Sequence, residues 1–266
     1  MKAFQKDLLR GGIFSSRKEM GERAAEDIRR AIEAVIREKG TCNMIFAAAP
    51  SQNEVLASLS MYRELPWEKV NAFHMDEYIG LSADAPQGFG NFLKNAIFSK
   101  VPFGKVCCLD STNDPEKECE RYAELLKEYP ADIVCMGIGE NGHIAFNDPH
   151  VADFHDSRIV KIVDLDDVCR MQQVHDGCFA SIDEVPKQAL TLTIPVLTAP
   201  KYVFCVVPGK TKAEAVEKTV NGAVSPSCPA SILRTHENAV LYLDEDSAEK
   251  LNNLSKESGM QMSRAV

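Results

Sequence analysis

The segment ADIVCMGIGENGH (residues 131–143) decides the fold class of this chain. Its first part, ADIVCMGIG (131–139), is a continuous apolar run bounded by turn residues, which is typical of a central strand in a parallel sheet. Its second part is a glycine-rich turn that ends at His143. A strand that leads into such a turn places the turn's side chains at the carboxyl edge of the sheet, where open α/β proteins bind ligands.

Strands and helices alternate on both sides of this segment. Apolar periodicity and capping residues predict the helices, and short apolar runs between turn signals predict the strands. The predicted helices are 17–38, 51–65 with a capping box of Ser51 and Glu54, 90–100, 114–129 with Asp114 as cap and Pro115 at the first position, and 210–222. The predicted strands are 44–50, 70–78, 105–110, 131–139, 158–165, 201–209 and 238–244. The alternation predicts a doubly wound, Rossmann-like α/β fold with a mostly parallel sheet and helices on both faces. We expect one domain, residues 1–266, whose polar tail 255–266 is frayed.

Composition excludes several classes of partner. The chain of 266 residues carries a formal net charge of −9, which disfavours binding to nucleic acid or to an anionic membrane. Its nine cysteines include no C-x-x-C pair, so we expect buried, reduced thiols. No signal peptide and no run of 18 apolar residues is present, so a cytoplasmic protein without a membrane span is expected.

The glycine-rich turn has two functional interpretations. Gly137, Gly139 and Gly142 match the dinucleotide fingerprint G-x-G-x-x-G, and Asp164 and Asp166 lie where a ribose-binding acid is expected. That interpretation needs a helix directly after the last glycine, and Pro149 would interrupt it.

Proton chemistry at His143 is the second interpretation. A neighbouring acid or amide can fix the tautomer of the imidazole and raise the basicity of its other nitrogen. Asn141, Asp148 and Glu140 are near enough in sequence to do this. A purely structural histidine in a capped turn is the alternative.

Adjacent acids mark the end of a second apolar strand, in FHMDEYIGL (73–81). Asp76 and Glu77 point in opposite directions if the stretch is extended, so one can face a substrate while the other makes a structural bond. A solvated turn is the alternative.

Several basic residues are candidates for binding an anion. Lys210 and Lys212 begin a predicted helix, where the helix dipole disfavours cations unless an anion is nearby. Two solvated lysines are the alternative. Further candidates are Arg158, Arg170 and Arg234. The histidines show neither H-x-x-x-H nor H-E-x-x-H spacing, so no metal site is expected.

Four segments together resemble the glucosamine-6-phosphate deaminases, also called isomerases, within the superfamily that includes the 6-phosphogluconolactonases. They are FHMDEYIGL (73–81), GIGENGHIAFNDP (137–149), PKQALTLTI (186–194) and GKTKAEAVEK (209–218). The resemblance covers residues 44–245 and implies conversion of an amino-sugar 6-phosphate to a ketose 6-phosphate and ammonia, without cofactor or metal. It implies that Asp76 moves a proton between C2 and C1, that His143 opens the sugar ring beside Asn141 and Asp148, and that Lys212 helps to bind phosphate.

This chain departs from the family pattern at three places. Asp148 stands where glutamate is usual, which moves the carboxylate by about one methylene. The glycine-rich phosphate loop T-G-[GS]-T-P is replaced by AAAPSQNE (47–54), in which Ser51 keeps the hydroxyl. The family arginine ahead of FASIDEVPKQAL is missing, and Arg170 is the nearest substitute. The expected substrate-binding residues are Ser51, Glu77, Gly139, Gly142, Arg170 and Lys212.

The resemblance leaves two other functions open. One is a lactonase or isomerase that acts on a differently substituted sugar, and the other is a non-catalytic sugar-phosphate sensor. Members of the family are often oligomeric, so a homo-oligomer is compatible with the resemblance.

Overall fold

The computed structural model describes residues 1–251, and the tail 255–266 that was predicted to be frayed lies outside them. The strands are β1 (Lys2–Lys6), β2 (Leu9–Phe14), β3 (Cys42–Phe46), β4 (Val70–His74), β5 (Asp76–Tyr78), β6 (Lys105–Cys107), β7 (Ile133–Met136), β8 (Val160–Asp164), β9 (Gln188–Leu192), β10 (Tyr202–Val207) and β11 (Ala239–Asp244). The α-helices are α1 (Arg17–Lys39), α2 (Asn53–Leu59), α3 (Phe89–Leu93), α4 (Pro115–Glu128), α5 (Asp167–His175), α6 (Ile194–Thr198) and α7 (Ala213–Asn221).

Eight strands form the main sheet, in the order β1-β2-β11-β10-β7-β3-β4-β6. β1 and β2 pair antiparallel, and every other pair in this sheet is parallel. The apolar run that contains β7 is central, as predicted, because it lies between β10 and β3. A doubly wound, mostly parallel α/β fold is therefore confirmed.

Helices cover both faces of the main sheet. Alternate residues of β10 belong to two separate apolar clusters, since Phe204 and Val206 pack in one and Val203 and Cys205 in the other. Side chains of α1, α2 and α3 complete the first cluster, and side chains of α4, α6 and α7 complete the second. Period-two alternation along a strand explains why one strand contributes to both. In the described residues no helix is both long enough and apolar enough to cross a membrane.

Local capping sets the ends of the long helices. The Asp114 side chain accepts a hydrogen bond from the Lys117 amide at the start of α4, with Pro115 in the first turn, as predicted. Gly40 ends α1 in the left-handed conformation, with φ of 84°. The capping box predicted at Ser51 and Glu54 does not form: α2 begins later, at Asn53, without a side-chain cap. The Glu54 carboxylate instead binds Arg17 of α1.

A second sheet of three antiparallel strands, β5-β9-β8, was not predicted. The predicted strand 70–78 divides at Met75, because β4 pairs in the main sheet while β5 pairs with β9. The predicted strand 158–165 corresponds to β8, which also belongs to the small sheet. Sequence analysis also missed β1, β2, β9, α5 and α6. Gly11 and Gly12 lie within β2, and glycine weakens the strand signal.

Candidate active site

A cavity of about 160 Å³ opens at the carboxyl ends of four neighbouring strands, β10, β7, β3 and β4. Each strand contributes the residues that directly follow it, because the carboxyl ends of parallel strands share one edge of a sheet. The lining includes Ala47–Ser51 after β3, Met75 and Asp76 after β4, Gly137–Gly139 after β7, and Pro208, Gly209, Thr211 and Lys212 after β10. Arg17, Phe89, His143, Ala145, Phe146, Gln172, Gln173 and Asp176 complete it.

The His143 imidazole has one nitrogen occupied and one available. Its Nδ1 lies 2.8 Å from Asn141 Oδ1 and 3.0 Å from Asp148 Oδ1. Both neighbours are acceptors, so Nδ1 carries the hydrogen and donates it. Nε2 has no hydrogen-bond partner within residues 1–251, and the side chain borders the cavity. In the neutral tautomer Nε2 is therefore a base that faces the space for a ligand.

Asp148 is fully buried and is held by several donors. The Asn141 amide donates to its Oδ1 at 2.9 Å, and the Asp166 backbone amide approaches its Oδ2 at 3.3 Å. Burial acts to raise the pKa of Asp148, but the His143 and Asn141 contacts outweigh it and lower the pKa below its usual value. Asp148 thus stays ionised beside the imidazole and stabilises a positive charge on it.

Two glycines shape the turn around His143. A Cβ atom at Gly139 would lie 2.1 Å from the imidazole, so the ring packs directly on the Gly139 backbone. Gly142 adopts φ of 88°, a conformation that favours glycine, and its carbonyl accepts a hydrogen bond from Ala230 at 2.9 Å. Gly139 borders the cavity, whereas Gly142 lies behind it and fixes the turn.

The small sheet connects the turn that carries Asp76 with the turn that carries His143. Asp76 of β5 pairs in register with Thr191 of β9. The Thr191 hydroxyl accepts a hydrogen bond from the Phe146 backbone amide at 3.1 Å. The Tyr78 and Phe146 rings also pack, with centroids 5.3 Å apart. The segment PKQALTLTI therefore joins the turn of Asp76 to the turn of His143.

Asp76 and Glu77 have different environments, as their alternation predicts. Glu77 accepts hydrogen bonds from the backbone amides of Tyr78, Phe89 and Gly90, so it ties β5 to the start of α3 and does not border this cavity. Asp76 borders the cavity, is 6% exposed, and accepts no hydrogen bond from the described residues. Burial, followed by the charge of Glu77, raises the pKa of Asp76 well above its usual value.

Lys212 and Ser51 both border the cavity. The Lys212 side chain is buried, and its Nζ makes no hydrogen bond with the described protein. Burial lowers the pKa of Lys212. Ser51 is on the loop after β3, and its Oγ accepts a hydrogen bond from Gln52. A buried ammonium without a partner is costly unless a ligand supplies the negative charge.

Arg170 lies outside the cavity. Its Nη2 donates to the carbonyls of Ile182 and Val185 at 2.6 and 3.1 Å, and its Nη1 binds Asp167 at 3.1 Å. The guanidinium therefore holds the 182–185 turn against α5, and its geometry does not support contact with a ligand.

Five polar residues that border the cavity were not predicted: Arg17, Gln172, Gln173, Asp176 and Thr211. Three of them lie in or next to α5, which was not predicted. The polar triplet Gln172, Gln173 and Asp176 could have been noticed in the segment that departs from the family pattern. Arg17 begins α1, and no local signal links it to a cavity after β3.

Neither a nucleotide nor a metal is favoured by the surroundings of His143. The chain after Gly142 forms turns and no helix up to Pro149, so no helix N-terminus faces a pyrophosphate there. The ligand atoms of His143, Asp148 and Cys169 lie within 4.8 Å of one another. His143 and Asp148 already contact each other, so neither ligand atom is free. Burial raises the pKa of the Cys169 thiol well above its usual value, which disfavours the thiolate that a metal would need. A second group, Asp148, His150 and Asp166, shares the same occupied carboxylate. The expectation that no metal is required stays a prediction.

Comparison with known proteins agrees with this geometry. The family model for glucosamine-6-phosphate isomerases and 6-phosphogluconolactonases matches residues 15–242. This chain belongs to that family. Relatives named glucosamine-6-phosphate deaminase include one from Lactobacillus delbrueckii subsp. bulgaricus, 31% identical over 90% of this chain and 98% of the relative. Another, from Clostridium acetobutylicum, is 34% identical over 88% of this chain and 96% of the relative.

Solved structures extend the family comparison to the fold. A monomeric glucosamine-6-phosphate deaminase superposes with a TM-score of 0.82 at 28% identity, covering 90% of this chain and 98% of that one. The 6-phosphogluconolactonase of Thermotoga maritima superposes with a TM-score of 0.72 at 22% identity, covering 89% of this chain and 99% of the other. At that identity the second likeness shows the shared fold alone.

Proposed function

We propose that this protein is an enzyme that isomerises and deaminates an amino-sugar 6-phosphate. The substrate is glucosamine 6-phosphate or galactosamine 6-phosphate, and the products are a ketose 6-phosphate and ammonia. One observation carries the proposal. Asp76, a carboxylate that no donor of residues 1–251 binds, and His143, an oriented imidazole, border one cavity. The names of the relatives support the same reaction.

His143 opens the sugar ring in this proposal. Its free Nε2 takes the proton of the C1 hydroxyl and returns a proton to the ring oxygen, which gives the open-chain aldehyde. Asp148 stabilises the imidazolium that forms in between, because its lowered pKa keeps it ionised. Asn141 keeps the Nδ1 hydrogen in place, so the basic nitrogen always faces the cavity.

Asp76 then moves the proton that changes the aldose into the ketose. It removes the C2 proton and delivers it to C1, while one proton passes from the substrate ammonium to the aldehyde oxygen, so that C2 becomes a protonated imine. Water adds to the imine carbon, and ammonia leaves. An ammonium group of the substrate beside Asp76 favours the ionised carboxylate and so opposes the effect of burial on its pKa.

Ammonia release from a panel of phosphorylated and free amino sugars tests this function. We expect stoichiometric ammonia and ketose 6-phosphate from at least one phosphorylated amino sugar, and at least a 100-fold loss of rate in Asp76→Asn, the lower end of general acid–base effects. Hydrolysis of 6-phosphogluconolactone without ammonia release would establish a lactonase instead. A ligand-dependent increase in melting temperature without turnover of any sugar would establish a sensor.

The single-domain organisation, the cytoplasmic location and a homo-oligomeric state stay predictions. Gel filtration with light scattering measures the last of these directly.

A further inference from the structure

Arg17 lies at the cavity although it begins a helix from another part of the chain. Its Nε donates to Glu54 Oε1 at 2.9 Å, and its Nη2 donates to Glu54 Oε2 and to the Pro50 carbonyl, both at 3.0 Å. These contacts hold the guanidinium against the loop 47–54, which takes the place of the family's glycine-rich phosphate loop. Arg17 is thus pre-oriented beside Ser51.

The guanidinium keeps part of its binding capacity. Arginine has five N–H donors, and Arg17 uses three of them in its contacts with Glu54 and Pro50. The two donors of Nη1 have no partner within residues 1–251, and the side chain is 43% exposed at the cavity. Glu54 binds the Nε–Nη2 edge, so Nη1 offers a phosphate a positive charge and two diverging N–H donors for charge-assisted hydrogen bonds.

A cation at this position is unfavourable for the helix itself. Arg17 is the first residue of α1, where the positive end of the helix dipole disfavours a positive side chain. Glu54 offsets this cost, and Arg17 itself borders the cavity. Both observations fit a cation that is positioned for a ligand.

We propose that Arg17 binds the substrate phosphate together with Lys212 and Ser51. Arg17 takes the role that the resemblance gave to Arg170, and this inference rests on the proposed function. Lys212 supplies a buried positive charge whose Nζ no acceptor of residues 1–251 binds, and Arg17 supplies the second charge. The side chain of Arg17 replaces the backbone amides that a glycine-rich loop would offer to a phosphate.

Arg170 does not compete for this role. Its buried guanidinium is bonded to two carbonyls and to Asp167, and these contacts would have to break before it could reach the cavity. We therefore assign the arginine of the phosphate site to Arg17 at the start of α1, and not to Arg170 of α5.

Steady-state kinetics of Arg17→Ala and Arg17→Lys test the assignment. With glucosamine 6-phosphate, we expect KM to rise roughly 10- to 100-fold in Arg17→Ala, as for loss of a charged hydrogen bond. We expect kcat to stay within about 3-fold, because a phosphate contact that is equally strong in the ground state and the transition state contributes uniform binding. Competitive inhibition by inorganic phosphate should weaken by a similar factor, while inhibition by unphosphorylated glucosamine should not change. Arg17→Lys should lie between the wild type and Arg17→Ala.

Lys18→Ala is the matched control, since it removes one positive charge from the next residue, whose side chain is 83% exposed. It should leave both KM and phosphate inhibition unchanged. The inference is overturned if Arg17→Ala is folded and keeps a wild-type KM, or if it weakens inhibition by glucosamine and by phosphate equally.

Failure of the proposed function has a different signature. If the wild type releases no ammonia from any amino sugar, the thermal shift caused by inorganic phosphate still tests the anion site. A shift in the wild type that Arg17→Ala abolishes and Lys18→Ala keeps would support the site. An equal shift in all three proteins, or no shift in the wild type, would overturn it.

Discussion

Adding one methyl group at Gly139 should inactivate the enzyme although no catalytic side chain is replaced. A Cβ atom at this position would lie 2.1, 2.2 and 2.3 Å from Cε1, Nε2 and Nδ1 of His143. The Gly139 backbone cannot easily give way, because its amide donates to the His143 carbonyl and its carbonyl accepts from Gly142. The imidazole must therefore move.

The size of the movement follows from the contact distances. An ordinary carbon contact is roughly 3.5 Å, so a ring that starts 2.1 Å from the new Cβ must shift by about 1.4 Å. Such a shift stretches the Nδ1 contacts of 2.8 Å to Asn141 and 3.0 Å to Asp148. A misplacement of about 1 Å can cost 100-fold in rate. We expect Gly139→Ala to lose about 100-fold in kcat.

Ammonia release at saturating substrate measures kcat, and long-range ¹H–¹⁵N spectra of the imidazole report whether Nδ1 still carries the hydrogen. Gly90→Ala is the control, because its added Cβ would lie no closer than 3.6 Å to a neighbour and Gly90 is within a helix. It should keep wild-type kcat. A folded Gly139→Ala variant with wild-type kcat and an unchanged Nδ1 signal would refute the steric reasoning.

Three further predictions concern charged groups of the cavity. Asp76→Asn should abolish turnover yet raise the melting temperature at neutral pH. Burial raises the folded-state pKa of Asp76, so ionisation of the carboxyl destabilises the fold; this cost is absent below the unfolded-state pKa and complete above the folded-state pKa. Melting curves at several pH values should therefore show that the higher melting temperature of the variant disappears in acid. Asp148→Asn should lower kcat by about 100-fold and reduce stability at neutral pH. Because the folded-state pKa of Asp148 is lowered, its ionised form stabilises the fold above the unfolded-state pKa, and this stability is lost as the pH falls through the folded-state pKa. Equal melting temperatures of variant and wild type at neutral pH would contradict this. Lys212→Gln should raise KM for glucosamine 6-phosphate roughly 10- to 100-fold. It should also raise the melting temperature, because it removes a buried charge that has no hydrogen-bond partner within residues 1–251. An unchanged KM would exclude Lys212 from the phosphate site.

Much of the fold was predictable because its signals are local. The amphipathic pattern and Gly40 gave α1 within about two residues at its ends, and Asp114 with Pro115 gave the start of α4. Apolar runs gave the central strands. The division of 70–78 at Met75 was not predictable, because both halves are extended and only their partners differ.

The candidate site divides in the same way. Asp76 and His143 were found because each follows an apolar strand, and strand ends share an edge of the sheet. The sequence predicted that one of Asp76 and Glu77 faces a substrate and the other makes a structural bond, but it did not say which. The backbone amides that bind Glu77 come from residues 78, 89 and 90, and two of these are distant along the chain. α5 was missed, and with it the residues Gln172, Gln173 and Asp176 that border the cavity.

The sequence alone determined the alternation of strands and helices along the parallel part of the main sheet and the two residues proposed for the chemistry. Periodicity, capping and strand-end position depend on neighbours along the chain. Tertiary structure alone decided which cations reach the cavity. Arg17 and Glu54 are separated by 37 positions and meet only when α1 packs on α2, whereas Arg170 is drawn away by the carbonyls of a turn that folds against its own helix. Side-chain direction at a ligand site depends on these distant partners, and a linear pattern does not contain them.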